Sequence, residues 1–333
     1  MNLEERITLL VKLGDYLISK SDRLNAVKHK AFEKNKWFIE EFVNFSFDNI
    51  ATRYLAPSRL KDWIDHYHID DNIEPQKIGI VMAGNIPLVG FHDFLCTFVT
   101  GHHQAIKLSD KDDVLLKHLI DKLCEWNPKV CNVVKITSTL KDCDAYIATG
   151  SNNSARYFKY YFGKYPSVIR NNKTSVAVLS GNETYGQLSS LADDVYSYFG
   201  LGCRNVTKIF APKGYDFMML LNAFKKYDYL AEFTKYKNNY DYNLALLIMN
   251  NKYYMSNESI VLTENESIFS PVSVLHYSFY EDKDALVEEL KANENIQCLV
   301  GDDDGGILFG NTQKPDLYDY ADGIDTMEFL LSL

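Results

Sequence analysis

Along the first seventy residues the apolar positions recur at helical spacing. Leu3, Ile7, Leu10, Val11, Leu17 and Ile18 mark one such stretch, and Pro57-Ser58-Arg59 opens another through Leu60, Trp63 and Tyr67. The texture then changes. Residues 77–83 (KIGIVMA) form a short apolar run that stops at Gly84, the pattern of a buried strand. Residues 86–99 read as a helix, with Pro87 suited to its first turn. Further strands are expected at 104–108, 132–136, 144–148, 175–179 and 207–210. Helices are expected at 112–126, 152–162 and 185–199. Strands alternating with helices of this length predict βαβ units and parallel sheets, an α/β fold.

In parallel sheets ligands gather at the carboxyl ends of strands. Four loops therefore draw attention. The first is Phe199-Gly200-Leu201-Gly202-Cys203-Arg204-Asn205, where glycines turn the chain sharply beside a cysteine. Arg204 would lower the thiol pKa of Cys203 and make it a nucleophile; the plainer reading is a partly buried cysteine after a helix cap. The second is Gly84-Asn85-Ile86-Pro87. The Asn85 amide could face a developing oxyanion, or simply cap the helix. The third, Thr149-Gly150-Ser151, opens a helix with small residues, which suits a pyrophosphate but also an ordinary cap at Ser151. The fourth puts Lys107 and Asp110 at a strand end, to hold a ribose or to form a solvated turn. His92, two helical turns after Asn85, is either a supporting group or a core histidine. His102 and His103 lack acidic or cysteine neighbours and read as a loop pair, so no metal is expected.

Composition narrows the class. The chain has 333 residues, of which 46% are hydrophobic and 24% charged, an ordinary globular balance. The net charge of −10 makes a nucleic-acid partner a poor fit, although a local basic pocket for a phosphorylated ligand remains open. No signal peptide or apolar run of bilayer length is visible, and the expected location is cytoplasmic. The six cysteines (96, 124, 131, 143, 203, 298) show no CxxC spacing and read as free thiols.

Taken together these pieces resemble the aldehyde dehydrogenase superfamily, and within it the acyl-CoA reductase family of the LuxC type. The matching stretches are AGNIPLVGFHDF (83–94), AIKLSD (105–110), YIATGSNNSARYF (146–158), FGLGCRNVTK (199–208), SIFSPVSVL (267–275) and FGNTQKPDLYDYADGIDTMEFL (309–330). The resemblance implies two three-layer α/β lobes with parallel sheets and an active-site cleft between them. It places N-terminal helices and a nicotinamide-dinucleotide lobe at 1–172, a catalytic lobe at 173–308, and a tail at 309–333 that packs back or meets another subunit.

Residue by residue, the resemblance gives Cys203 the role of nucleophile and Asn85 that of oxyanion amide. It gives Lys107 the cofactor ribose, Gly150 and Ser151 the dinucleotide phosphates, and Phe269 the nicotinamide side. Two departures stand out. Hydrolytic relatives carry a glutamate in the stretch that here reads Val168-Ile169-Arg170-Asn171-Asn172-Lys173, which has no acid. The usual ribose-binding glutamate falls on Ser267, with Glu266 one residue away. The implied activity is reduction of an acyl-CoA, by resemblance fatty acyl, to an aldehyde through a cysteine thioester. The resemblance favours NADPH, whereas Asp110 suits the free 2′-hydroxyl of NADH. A reductase of acyl phosphate or acyl-carrier-protein thioester fits the same residues. So does a non-catalytic relative that binds acyl-CoA or nucleotide. A homo-oligomer or a fatty-acid-reductase complex would give the apolar tail a partner.

Overall fold

The computed structural model describes residues 1–301 and 306–333. The chain divides into two compact units, Met1–Asn172 with Pro315–Leu333, and Lys173–Lys314.

The first unit opens with helices α1 (Leu3–Leu17), α2 (Asp22–Lys34), α3 (Glu40–Asn49) and α4 (Pro57–His66). Asn2 and Glu5 start α1 with a reciprocal pair of bonds: the Asn2 side chain accepts the Glu5 N–H, and the Glu5 carboxylate accepts the Asn2 N–H. Then follow β1 (Lys77–Val81), α5 (Phe91–Thr100), β2 (His103–Lys107), α6 (Leu115–Trp126), α7 (Val130–Val133), β3 (Val134–Ile136), β4 (Ala145–Thr149), α8 (Asn152–Phe162) and β5 (Ser167–Arg170). The five strands form one all-parallel sheet in the order β3-β2-β1-β4-β5. Ile80, Ile106 and Ile147 lie side by side across it and are fully buried. The strand order reverses between β1 and β4, the switch point at which such sheets leave a crevice.

Three features of this unit differ from the sequence reading. The helix after β1 begins at Phe91 and not at Pro87, and residues 85–90 form bends and turns. Tertiary bonds hold this segment out of the helix. Leu88 has φ +56° and donates its N–H to Asp112 Oδ2 at 2.7 Å, while the Ser46 hydroxyl donates to the Pro87 carbonyl at 3.0 Å. The strand expected at 132–136 shrinks to Val134–Ile136, because α7 occupies Val130–Val133. Cys124 and Cys131 are joined as a disulfide that ties α6 to α7, so not all six cysteines are free. Cys96, Cys143, Cys203 and Cys298 lie outside any disulfide.

The end of β5 is fastened by a buried ion pair. The Arg170 guanidinium donates to both Asp93 oxygens at 2.8 and 2.7 Å, and to the Thr326 hydroxyl at 2.7 Å. Thr326 begins α13 (Thr326–Leu331), which packs on α5 and buries Met327 and Leu330 completely. The last residues of the chain thus complete the first unit's core.

The second unit contains β6 (Thr174–Val178), α9 (Tyr185–Tyr196), β7 (Val206–Pro212), α10 (Met218–Phe224), α11 (Thr234–Met249), β8 (Met255–Ser256), β9 (Val261–Glu264), β10 (Val274–Tyr280), α12 (Lys283–Lys291) and β11 (Ile296–Val300). Its sheet runs β11-β6-β7-β10-β9-β8. All neighbours are parallel except β8 and β9, so this sheet is mixed at one edge where parallel strands were expected throughout. Val206 pairs with Ser175 and Lys208 with Val176, which leaves Thr207 as an extra residue, a bulge in β7.

Candidate active site

The first unit brings five of the candidate residues to one edge. Because β1, β2 and β4 are adjacent and parallel, the loops after them leave from the same carboxyl edge. Asn85, Asp110, Gly150 and Ser151 lie in those loops, and Lys107 is the last residue of β2. Lys107 and Asp110 are exposed. Ser151 caps α8, its hydroxyl accepting the Ser154 N–H at 3.3 Å, and the first turn of that helix carries no acid. Gly150 leaves no space for a side chain, since a Cβ there would stand 2.9 Å from the Phe158 ring and 3.0 Å from Ser154. Asn85 is not the cap of α5; it lies in the bent segment that Asp112 and Ser46 secure.

His92 belongs to an aromatic group. Its ring stacks with those of Tyr54, Tyr320 and Trp63, at centroid distances of 5.0, 5.2 and 6.1 Å. The histidine pair separates: His103 is exposed, whereas buried His102 accepts the Gln76 N–H at Nδ1 and donates from Nε2 to the Leu330 carbonyl. Among the described residues no group of three or more His, Cys, Asp or Glu side chains could hold a metal ion.

The second unit presents Cys203 on a turn between α9 and β7, half-buried. The approach to it is strained. Tyr198, Phe199 and Gly200 have φ of +54°, +58° and +72°. Left-handed backbone costs a non-glycine residue roughly 1–2 kcal/mol, and two such residues precede the glycine here. Packing holds them in place: both side chains are buried, and Phe199 meets Phe233 and Tyr236 with centroids 5.6 and 5.7 Å away.

Sequence reasoning missed the residue that ties this turn together. Asn205 is completely buried. Its Oδ1 accepts the Gly202 N–H at 2.8 Å, and its Nδ2 donates to the carbonyls of Asp194 (2.9 Å) and Ser197 (2.8 Å), with a longer contact to Val195 (3.4 Å). One amide thus satisfies the end of α9 and brackets Cys203. Its own N–H donates back to the Gly202 carbonyl, and the Ser175 hydroxyl donates to the Cys203 carbonyl at 3.1 Å. The available signal was an asparagine two residues past a cysteine in a glycine turn.

Asp194 adds a second buried anchor. Its carboxylate accepts the N–H groups of Gly310 and Thr312 and the Thr312 hydroxyl, at 2.6, 3.0 and 2.8 Å. Burial pushes its pKa up to about 6. The Arg204 guanidinium donates to the Cys298 sulfur at 3.5 Å.

Phe269 lies half-buried in the 265–273 connection from β9 to β10. Ser267 stabilises this segment locally, its hydroxyl donating to the Phe269 carbonyl at 2.9 Å and accepting the Phe269 N–H at 3.1 Å. The Glu266 residue is exposed. No helix among the described residues is long and apolar enough to cross a membrane.

Comparison with solved structures identifies the fold. Aldehyde dehydrogenase 21 from Physcomitrella patens, in complex with succinate, is similar with a TM-score of 0.68 and 12% identity, over 100% of this chain and 84% of that one. The NAD+ complex of aldehyde dehydrogenase from Bacillus cereus gives 0.63 and 11%, over 90% and 72%. The aldehyde dehydrogenase KauB from Pseudomonas aeruginosa gives 0.63 and 11%, over 90% and 72%. The chain therefore has an aldehyde-dehydrogenase-like α/β fold. No protein-family model matches it, and no curated protein matches it.

Proposed function

We propose that this chain reduces an acyl-CoA, in the first instance a fatty acyl-CoA, to an aldehyde through a thioester on Cys203. The observation that carries the reading is the Cys203 turn, a half-buried thiol on a backbone fixed by Asn205 in an aldehyde-dehydrogenase-like fold. In this reading the Cys203 thiolate attacks the thioester carbonyl, the carbon–sulfur bond to CoA breaks, and CoA leaves as its thiolate. The Asn85 amide and the Cys203 N–H steady the oxyanion.

The residues present suit a nicotinamide dinucleotide. The turn after β4 offers a helix N-terminus free of acidic side chains in its first turn, and Lys107 stands exposed at the end of the neighbouring strand β2 of the same sheet. Gly150 and Ser151 would hold its phosphates, Lys107 a ribose, and Phe269 the nicotinamide side. When bound it supplies the hydride that reduces the Cys203 thioester, after which the aldehyde departs and the thiolate returns. NADPH is the cofactor the resemblance favours; exposed Asp110 after β2 supports NADH instead.

Reduction, as opposed to oxidation with water, is supported by the stretch 168–173. Its one buried charge, Arg170, is spent on Asp93 and Thr326, and no carboxylate is there to activate water. A thioester on Cys203 would then persist until hydride or another thiol removes it. Turnover with acyl-CoA, acyl phosphate and acyl-carrier-protein donors, each with NADPH and NADH, tests the assignment. Fastest reduction of acyl-CoA with NADPH is expected. Exclusive use of another donor would redirect the reading to that acyl group, and a strong NADH preference would reverse the cofactor assignment.

A further inference from the structure

The 265–273 segment connects two parallel strands without a helix and crosses one face of the sheet. Three consecutive carbonyls of this connection are met by side chains from the strands beneath it. Lys208 Nζ donates to the Glu266 carbonyl at 2.9 Å. The His276 ring bonds the Ser267 carbonyl at 2.9 Å through Nδ1, which must carry the proton because a carbonyl only accepts. The Thr207 hydroxyl donates to the Ile268 carbonyl. Lys208 and His276 are paired in register on adjacent strands, so both side chains rise from the same face. Thr207 would point away under strict alternation, but it is the extra residue of the β7 bulge, which breaks that alternation and lets neighbours in sequence reach the same segment.

Burying a lysine is costly unless its charge or its protons are used. Lys208 is 1% exposed, the Glu266 residue is exposed, and the amine is directed at the main-chain carbonyl of Glu266. Its Nζ also stands 4.7 Å above the Phe210 ring. Burial lowers the pKa of both Lys208 and His276. Either form of the amine can still donate.

We propose that Lys208, His276 and Thr207 are positioning residues that hold the 265–273 connection, and with it Phe269, on the strand that begins just after Cys203. The proposal rests on the reading of Phe269 as the nicotinamide-side residue. It assigns to β7 the job of fixing the spacing between Cys203 and Phe269.

The full-length chain carrying Lys208→Met, and separately the near-isosteric Thr207→Val, tests this. Three readouts are taken: hydrogen exchange of peptides spanning 265–270, formation of the acyl adduct on Cys203 from acyl-CoA alone, and reduction of the preformed adduct by NADPH. Exchange in 265–270 is expected to rise about tenfold and adduct reduction to fall by about tenfold, because small displacements at a reacting centre are that costly. Adduct formation should stay within about twofold of the parent, and Lys208→Arg should restore most of the reduction rate. If Lys208→Met does not fold, Thr207→Val is read in the same way. Unchanged exchange, or adduct formation and reduction falling by the same factor, would overturn the proposal. Absence of any adduct in the parent chain would instead refute the reading of function, while exchange still decides whether the three side chains hold the segment.

Discussion

Cys203 owes its position to residues that do no chemistry. Tyr198 and Phe199 accept an unfavourable backbone because their rings are buried, and Asn205 closes the turn from within. Replacing Asn205 with alanine strands the carbonyls at the end of α9 and the Gly202 N–H, and should lower stability by about 3 kcal/mol in chemical denaturation. If Asn85 is the oxyanion donor proposed above, Asn85→Ala should raise the reaction barrier by about 3–4 kcal/mol, the usual loss for one such donor, seen as a fall in kcat. The turn that carries Cys203 was legible because Gly200 and Gly202 flank Leu201 just ahead of it. Asn205 was not, since its importance lies in carbonyls 8–11 residues upstream that only the folded turn brings near.

The elements themselves were read well where an apolar run stops at a glycine or a small polar turn, as at β1, β2 and β4. They were misread where tertiary bonds override local preference. Residues 85–90 have a proline placed to start a helix, yet Asp112 and Ser46 capture their backbone and delay the helix to Phe91. Asp112 also gives a pH signature. Burial raises its carboxyl to about 7, against roughly 4 in an unfolded chain. The folded state therefore binds this proton more tightly, so the group's contribution is full below about pH 4 and is lost as pH rises through about 7. Asp112→Asn should shrink the fall in Tm measured between about pH 5 and about pH 8. Arg170 and Asp93 make the complementary case. Arg170→Met leaves a buried carboxylate alone and should destabilise the first unit by about 3–5 kcal/mol in urea unfolding.

On the scale of the whole molecule, the chain builds two units in an interleaved order: the first is left at Asn172 and re-entered at Pro315. No local pattern announces that return. The tail's apolar residues were equally consistent with a partner, and only α13 against α5 shows where Met327 and Leu330 are buried. Deleting residues 325–333 should therefore weaken the first unit's unfolding transition by about 4 kcal/mol or more, since two large apolar side chains leave its core together.

Covalent chemistry at Cys203 is read directly by intact-protein and peptide mass spectrometry. The chain is mixed with a long-chain acyl-CoA and no reductant. The expected result is one acyl group in thioester linkage on Cys203, absent from Cys203→Ala and discharged when NADPH is added. An adduct on another residue, or none, would contradict the account.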